Sequence, residues 1–349
     1  DLVRAVIAAC FVLCLTHSGV TLVFVLSALL MFASPFFTAG RASILPVIAN
    51  RDELHAANSL TQTTQWTSVA LGAFLGGIIA KSFGYQAAFL FNAASFVISA
   101  ACISLLRVPP GRSFQAERRD LAEDRVARPW HEYRDGLAYM ARTPLILAIA
   151  LVGVGWATGG GAAQILFSLF GEVVFHRGAA GIGEVWGSAG IGLILGGIIA
   201  NTWGRQLSFG RYKWAIVAAY VVHGGAYVLF SISRNYLVAL FFIGLSRMAV
   251  AISSVLNFSQ LLRHVEDGYR GRVFSTMESM TWATMMASML AAGVASTHVD
   301  PRVIGVVSGI LSSTTAVGWA WALLTGKLEQ PAPTGVDPAD IEVHGEAQN

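Results

Sequence analysis

The amino-acid sequence predicts an all-α polytopic membrane protein, and three observations carry that prediction. The chain has 349 residues, 55% of them hydrophobic and only 12% charged, where a soluble domain carries about 25% charged residues. Its apolar residues are gathered into runs of 16 to 26. About 20 apolar residues, rising 1.5 Å each, cross the hydrocarbon of a bilayer. The 36 glycines fit helices that approach one another closely in lipid.

Ten spans follow in order, at about 2–17, 19–39, 60–80, 86–106, 144–169, 181–200, 213–232, 236–260, 273–296 and 302–325. Between the fourth and fifth lies a polar connector, 107–143. Pro109-Pro110 ends the preceding helix, because proline lacks the donor a helix needs and restricts the residue before it. Trp130, Tyr133, Leu137 and Met140 follow helical spacing, so the connector is expected to close with an amphipathic helix at the membrane surface. Residues 326–349 carry Pro331, Pro333, Pro338 and several acids and are expected to be a disordered tail. Cys10, Cys14 and Cys102 all lie in apolar runs and read as small buried side chains.

Lysine and arginine set the orientation. The side holding the N-terminal edge and every second connection carries 18 of them, and the opposite side carries 4. Both termini and the connector are therefore expected in the cytoplasm. The chain also repeats weakly. "RAVIAAC" (4–10) resembles "WAIVAAY" (214–220), and "LHAANSLTQTTQW" (54–66) lines up with "RGRVFSTMESMTW" (270–282). The pairs fall at the same place in the span order. Two six-helix halves are expected, the first lacking two helices and residue 1 not a natural start. The expected parts are 1–106, the remainder of the first half, the connector 107–143, the second half 144–325 and the tail 326–349.

Two segments carry a family resemblance. "PFFTAGRASILPVIANRDELHAANSL" (35–60) and "EDGYRGRVFSTMES" (266–279) resemble the helix connections of the major facilitator superfamily of secondary transporters. Within it they resemble the drug and siderophore exporters, which include enterobactin-exporter-like and macrolide-efflux-like proteins. The resemblance covers about residues 1–325 and implies a major-facilitator-type bundle with ten of twelve transmembrane helices present. The superfamily's Gly-x-x-x-Asp-Arg-x-Gly-Arg loop, a cytoplasmic latch, would end just before residue 1, with Asp1 and Arg4 as its continuation. Its second copy keeps Gly197, Gly204 and Arg205 but has Asn201 and Thr202 where Asp and Arg belong. The branch's Gly-Pro pair would fall at Gly72-Ala73, without the proline.

Polar residues inside spans are costly and mark sites. Arg247 stands in "FFIGLSRMAVAISS" (241–254), about 12 residues from the outer end of its helix and so roughly 18 Å deep. It is expected to face the interior or a wet cavity, where it binds an anionic substrate, tunes a proton site or caps helix carbonyls. His223 falls at a similar depth on the preceding span, either as a proton relay or as a neutral ring bonded to a neighbouring backbone group. Glu278 binds a proton or a cation, or else pairs with Arg270 or Arg272. Glu184 reads as an interfacial charge. Gln62, Gln65 and Trp66 match Glu278, Thr281 and Trp282 in the repeat, and paired positions in two halves can line one cavity. Met277, Met280, Met285, Met286 and Met289 form an adaptable surface, either packing or pocket. "GVGWATGGGAAQ" (153–164) is glycine-rich enough to break or flex its span, with Trp156 and Gln164 near the cavity. Gly72 with Gly76 and Gly192 with Gly196 form two G-x-x-x-G pairs for helix packing.

These readings lead to a secondary transporter of the bacterial inner membrane. It would export a drug-like or siderophore-like molecule by alternating access, coupled to protons as the resemblance implies. A small-metabolite importer and a non-transporting fragment are the alternatives. A monomer in a lipid bilayer is expected, with a small-molecule substrate and protons as partners and no nucleic acid. No enzyme, metal or cofactor is expected: the spans hold no His/Glu metal spacing and no nucleophile–base pair, and no phosphate loop is present.

Overall fold

The computed structural model describes residues 1–16, 20–48, 54–106 and 129–330. Among them every regular element is helical. The helices are α1 (Leu2–Cys10), α2 (Leu13–Thr16), α3 (Val20–Ile48), α4 (Leu54–Ser104), α5 (Pro129–Arg142), α6 (Pro144–Leu169), α7 (Gly178–Trp203), α8 (Phe209–Ile232), α9 (Tyr236–His264), α10 (Asp267–Ala295) and α11 (Pro301–Leu324). Residues 107–128 of the connector, with Pro109-Pro110, and residues 331–349 of the tail lie outside the described residues.

The starts of the helices follow from their sequences. Pro144 and Pro301 open α6 and α11 at first-turn positions, where a missing N–H costs nothing. Ser208, Asn235 and Asp300 accept hydrogen bonds from the first backbone N–H groups of α8, α9 and α11, donors that a helix start otherwise leaves unpaired. The C-terminal end of α9 is capped by Arg270, which donates to the carbonyls of Leu262 and Val265.

Six helical stretches are long and apolar enough to cross a membrane among the described residues: Phe74–Ser104, Pro144–Val174, Gly178–Trp203, Phe209–Ile232, Tyr236–His264 and Pro301–Leu324. Leu2–Leu15 and Thr21–Ser34 are shorter apolar stretches. The first expected span is interrupted between α1 and α2. The third and fourth are drawn into one helix, α4, broken at Gly84 with φ 84° and ψ 167°, a region that only glycine occupies without strain. Large apolar side chains such as Leu237, Phe241 and Ile191 project outward, 73%, 64% and 60% exposed. That suits helices whose outer faces meet lipid.

The chain divides into two compact units, residues 1–127 with 178–183, and residues 128–177 with 184–349. In the first, Asp1 accepts from both Arg4 and Ser99, and the Arg4 guanidinium lies 4.0 Å from the Phe37 ring centroid. Gly72 and Gly76 were expected to seat a neighbouring helix, but a Cβ on either would find open space. The buried glycine is Gly77, one residue or about 100° further round the helix.

In the second unit α11 packs along α8 and α6, α10 along α6, and α9 along α8. One core cluster gathers Tyr212, Ile216, Ile146 and Trp319, and another gathers Phe167, Phe170, Phe230 and Ile243. Gly192 and Gly196 sit against the backbone of Gly244 and Met248 so closely that a Cβ on either would collide. Helix α5 is amphipathic as expected: Met140 is buried in the first cluster, while Trp130 is 71% exposed and stacks on Tyr133. Of the tail expected at 326–349, residues 326–330 are described. Leu328 is buried, and its carbonyl accepts from Lys213 Nζ at 3.0 Å.

Candidate functional site

Helix α9 carries one charged residue outside its last turn, Arg247, near its middle. Arg247 is 7% exposed and so faces the bundle. It makes no ion pair or hydrogen bond among the described residues, and its Nε is buried without a partner. What it does have is the Phe167 ring of α6, with the centroid 4.9 Å from Cζ. A desolvated cation–π contact is worth about 2 kcal/mol. Burying an ion costs several kcal/mol even after relaxation, so the ring offsets only part of the cost.

His223, on α8, is 2% exposed and lines the same gap as Arg247. Its Nδ1 lies 2.7 Å from Ser246 Oγ and 3.3 Å from the Ser246 carbonyl oxygen. The ring is thus held by the residue just before Arg247. One turn on, Tyr227 is buried with its hydroxyl unpartnered. Gly159 and Gly160 of α6 and Ser308 and Ser312 of α11 complete the walls. The gap between them is too narrow to hold a water molecule.

The glycine-rich stretch 153–164 stays helical, but its hydrogen-bond ladder is shared. Ser288 Oγ, on α10, donates to the Thr158 carbonyl at 2.5 Å and accepts from Ala162 N–H at 3.1 Å. An uninterrupted helix would join those two groups to each other. A side chain standing in the ladder is a recognised cause of helix bending.

The other expected site residues are scattered. Trp156 is half-buried with its indole Nε1 unpartnered, and its carbonyl accepts from Ser312. Gln164 is exposed and takes no part in the cluster. Glu278 is exposed and accepts from Trp282 Nε1 at 3.3 Å. It does not pair with Arg272, which lies 3.4 Å from Asp135, or with Arg270, which caps α9. Of the methionines, Met285 is buried and Met286 is 58% exposed. Glu184 belongs to an outer cluster with Arg177 and Tyr236. Gly204 opens the 3₁₀ turn to Gln206 with Leu256 against it, and Gly197 meets open space. The side chains of Gln62, Gln65, Trp66 and Arg205 lie outside the described ones. Tyr227, Ser308 and Ser312 were not singled out from the sequence. The available signal was their spacing: Tyr227 stands four residues after His223, and Ser308 and Ser312 are four apart.

Helices long and apolar enough to cross a membrane, with ionisable side chains buried among them, fit a protein that moves ions or solutes across it. The profile of the Major Facilitator Superfamily matches residues 2–283, and the chain belongs to that family. The chain is 22% identical over 324 residues to an uncharacterized MFS-type transporter, YfmI, of Bacillus subtilis, covering 91% of this chain and 77% of that protein. It is 24% identical over 309 residues to the enterobactin exporter EntS of Citrobacter koseri, covering 86% and 69%. Among solved structures it is similar to a bacterial homolog of the human lysosomal transporter Spinster, in an inward-facing, occupied conformation. That match has a TM-score of 0.60 and 13% identity over 93% of this chain and 81% of the other.

Proposed function

We propose that this chain is a proton-coupled exporter of a drug-like or siderophore-like small molecule, working by alternating access in the bacterial cytoplasmic membrane. In this reading residues 1–106 are the remainder of one half, 144–325 are the other, and both termini and the connector 107–143 face the cytoplasm. The observation that carries the reading is Arg247, a permanent charge buried mid-helix beside His223 and facing the bundle. Ionisable groups so placed mark solute and ion pathways. Export is supported by the similarity to an enterobactin exporter and by the connection segments 35–60 and 266–279. His223, held by Ser246 in the same gap as Arg247, is the proton candidate. The test is accumulation of fluorescent dyes and antibiotics in cells expressing the chain. Expressing cells should hold less than controls, and an uncoupler should abolish the difference. A difference that survives uncoupling would remove proton coupling from the reading.

A further inference from the structure

Arg247 carries a charge it cannot lose and has no counter-ion among the described residues. Three carboxylates of its own unit are engaged elsewhere. Glu184 is held by Arg177 and Tyr236. Asp135 is held by His131 and Arg272, and Glu278 by Trp282. Around the guanidinium stand donors and neutral groups: the unpartnered Tyr227 hydroxyl, the Ser312 hydroxyl, the His223 ring and the bare backbone of Gly159 and Gly160.

We infer that this gap is an anion site, and that the transported solute presents a carboxylate or comparable oxyanion to Arg247. The inference rests on the transporter reading and names its substrate class. A cationic solute would meet an uncompensated positive charge, and a neutral one would leave that charge unpaired. An oxyanion supplies the missing charge, and its planar fork matches the guanidinium bidentately. The Tyr227 phenol is placed to donate a further bond.

The described state is closed around Arg247, and the walls show how it opens. Gly159 and Gly160 put no side chain between α6 and the site, and Gly159 lies against Ser308 and Ser312 of α11. Where Gly159 meets α11 the contacts are between small residues, and parting the helices there also breaks the Ser312 bond to the Trp156 carbonyl. The Ser288 hydroxyl bonds both the Thr158 carbonyl and the Ala162 N–H of α6, at this same stretch. It gives α6 a point at which to bend.

The experiment uses the purified full chain in detergent, titrated with benzoate, benzyl alcohol, benzylammonium and chloride while tryptophan fluorescence and Tm are read. Benzoate should bind saturably and raise Tm, and the two uncharged or cationic isosteres should do neither. Arg247→Met should weaken benzoate at least about tenfold. Tyr227→Phe deletes only a hydroxyl without a partner, so it folds, and it should weaken benzoate about three- to tenfold. Benzylammonium binding, or benzoate affinity unchanged in both variants, would overturn the inference. So would chloride displacing all of the benzoate signal, which would make this an inorganic-anion site.

Vesicles loaded with carboxyfluorescein or rhodamine 6G separate this inference from the reading beneath it. Rhodamine efflux that Arg247→Met leaves intact sinks the anion site and keeps the transporter. Arg247-dependent benzoate binding with no flux of either dye keeps the site and sinks the transporter.

Discussion

The guanidinium of Arg247 stands over the ring of Phe167, 4.9 Å from its centroid. The same ring meets Trp186 edge-on at 4.9 Å and Phe230 at 6.1 Å, so its position is fixed by an aromatic cluster and it cannot swing away. Phe167→Leu should therefore lose both packing and the ring's electrostatic support of the cation. We expect a loss of about 2–4 kcal/mol by denaturation in detergent. In a double-mutant cycle with Arg247→Met, the coupling should be about 1–2 kcal/mol. Coupling near zero would mean that the ring supports the fold and not the charge.

Gly192 and Gly197 lie five residues apart on α7 and have opposite surroundings. A Cβ on Gly192 collides with the Gly244 backbone of α9, and one on Gly197 meets nothing. Backbone cannot yield as a flexible side chain does. Gly192→Ala should cost about 1–3 kcal/mol through overpacking. Gly197→Ala should stabilise by about 0.4–1 kcal/mol, because alanine limits the unfolded chain and fits a helix. Equal effects at the two positions would contradict the close α7–α9 approach.

Arg247 and His223 were legible in the sequence because ionisable residues stand out in an apolar run whatever face they occupy. Their neighbours were not. A helix that is apolar all round carries no periodic signal of which face turns inward, so Tyr227, Ser308 and Ser312 looked like ordinary polar residues in spans. The same blindness explains Gly72 and Gly76: the motif spacing pointed to them, and the buried position is Gly77. The order of the described helices was legible from length and hydrophobicity, but the break in the first span and the run-on of the third into the fourth were not. The break in α4 fell within the expected gap between spans, at Gly84. Ser288 was invisible, because its partners Thr158 and Ala162 lie on another helix about 130 residues away and no local pattern joins them.

Ser288 stands between two backbone groups of α6 that would otherwise bond each other. Ser288→Ala removes the intermediary. Either α6 straightens to close its own bond, or a buried N–H and C=O are left unpaired, at about 1–3 kcal/mol for an unsatisfied group. Straightening would need α6 to move against α10, where Gly161 already abuts Met285. We therefore expect a loss of about 1–3 kcal/mol in stability, with faster amide exchange at Ala162. Unchanged stability with slower exchange at Ala162 would show that the helix closed on itself and that Ser288 held it open.

At the start of α9, Tyr236 and Arg177 converge on one oxygen. Tyr236 OH donates to Glu184 Oε2 at 2.6 Å, and Arg177 Nε lies 3.3 Å from the same atom. The Arg177 guanidinium also covers the Tyr236 ring at 4.5 Å. Two different forces therefore act on one carboxylate, and salt separates them. The ion pair is partly solvated, with its side chains 47% and 30% exposed, and such pairs are worth about 0.2–1 kcal/mol. Glu184→Gln keeps an acceptor for Tyr236 but discards the charge, so its cost should be about 0.5 kcal/mol in dilute buffer and should fade near 1 M salt, where the screening length is about 3 Å. Tyr236→Phe keeps the ring under Arg177 but deletes a short hydrogen bond to an ionised group, which is worth about 1.5–3 kcal/mol when buried and about 1 kcal/mol at this half-exposed site. A bond of 2.6 Å admits no counter-ion between its atoms, so that cost should persist in high salt. If both losses fell together as salt rose, the hydroxyl would be acting only through the Arg177–Glu184 charge pair.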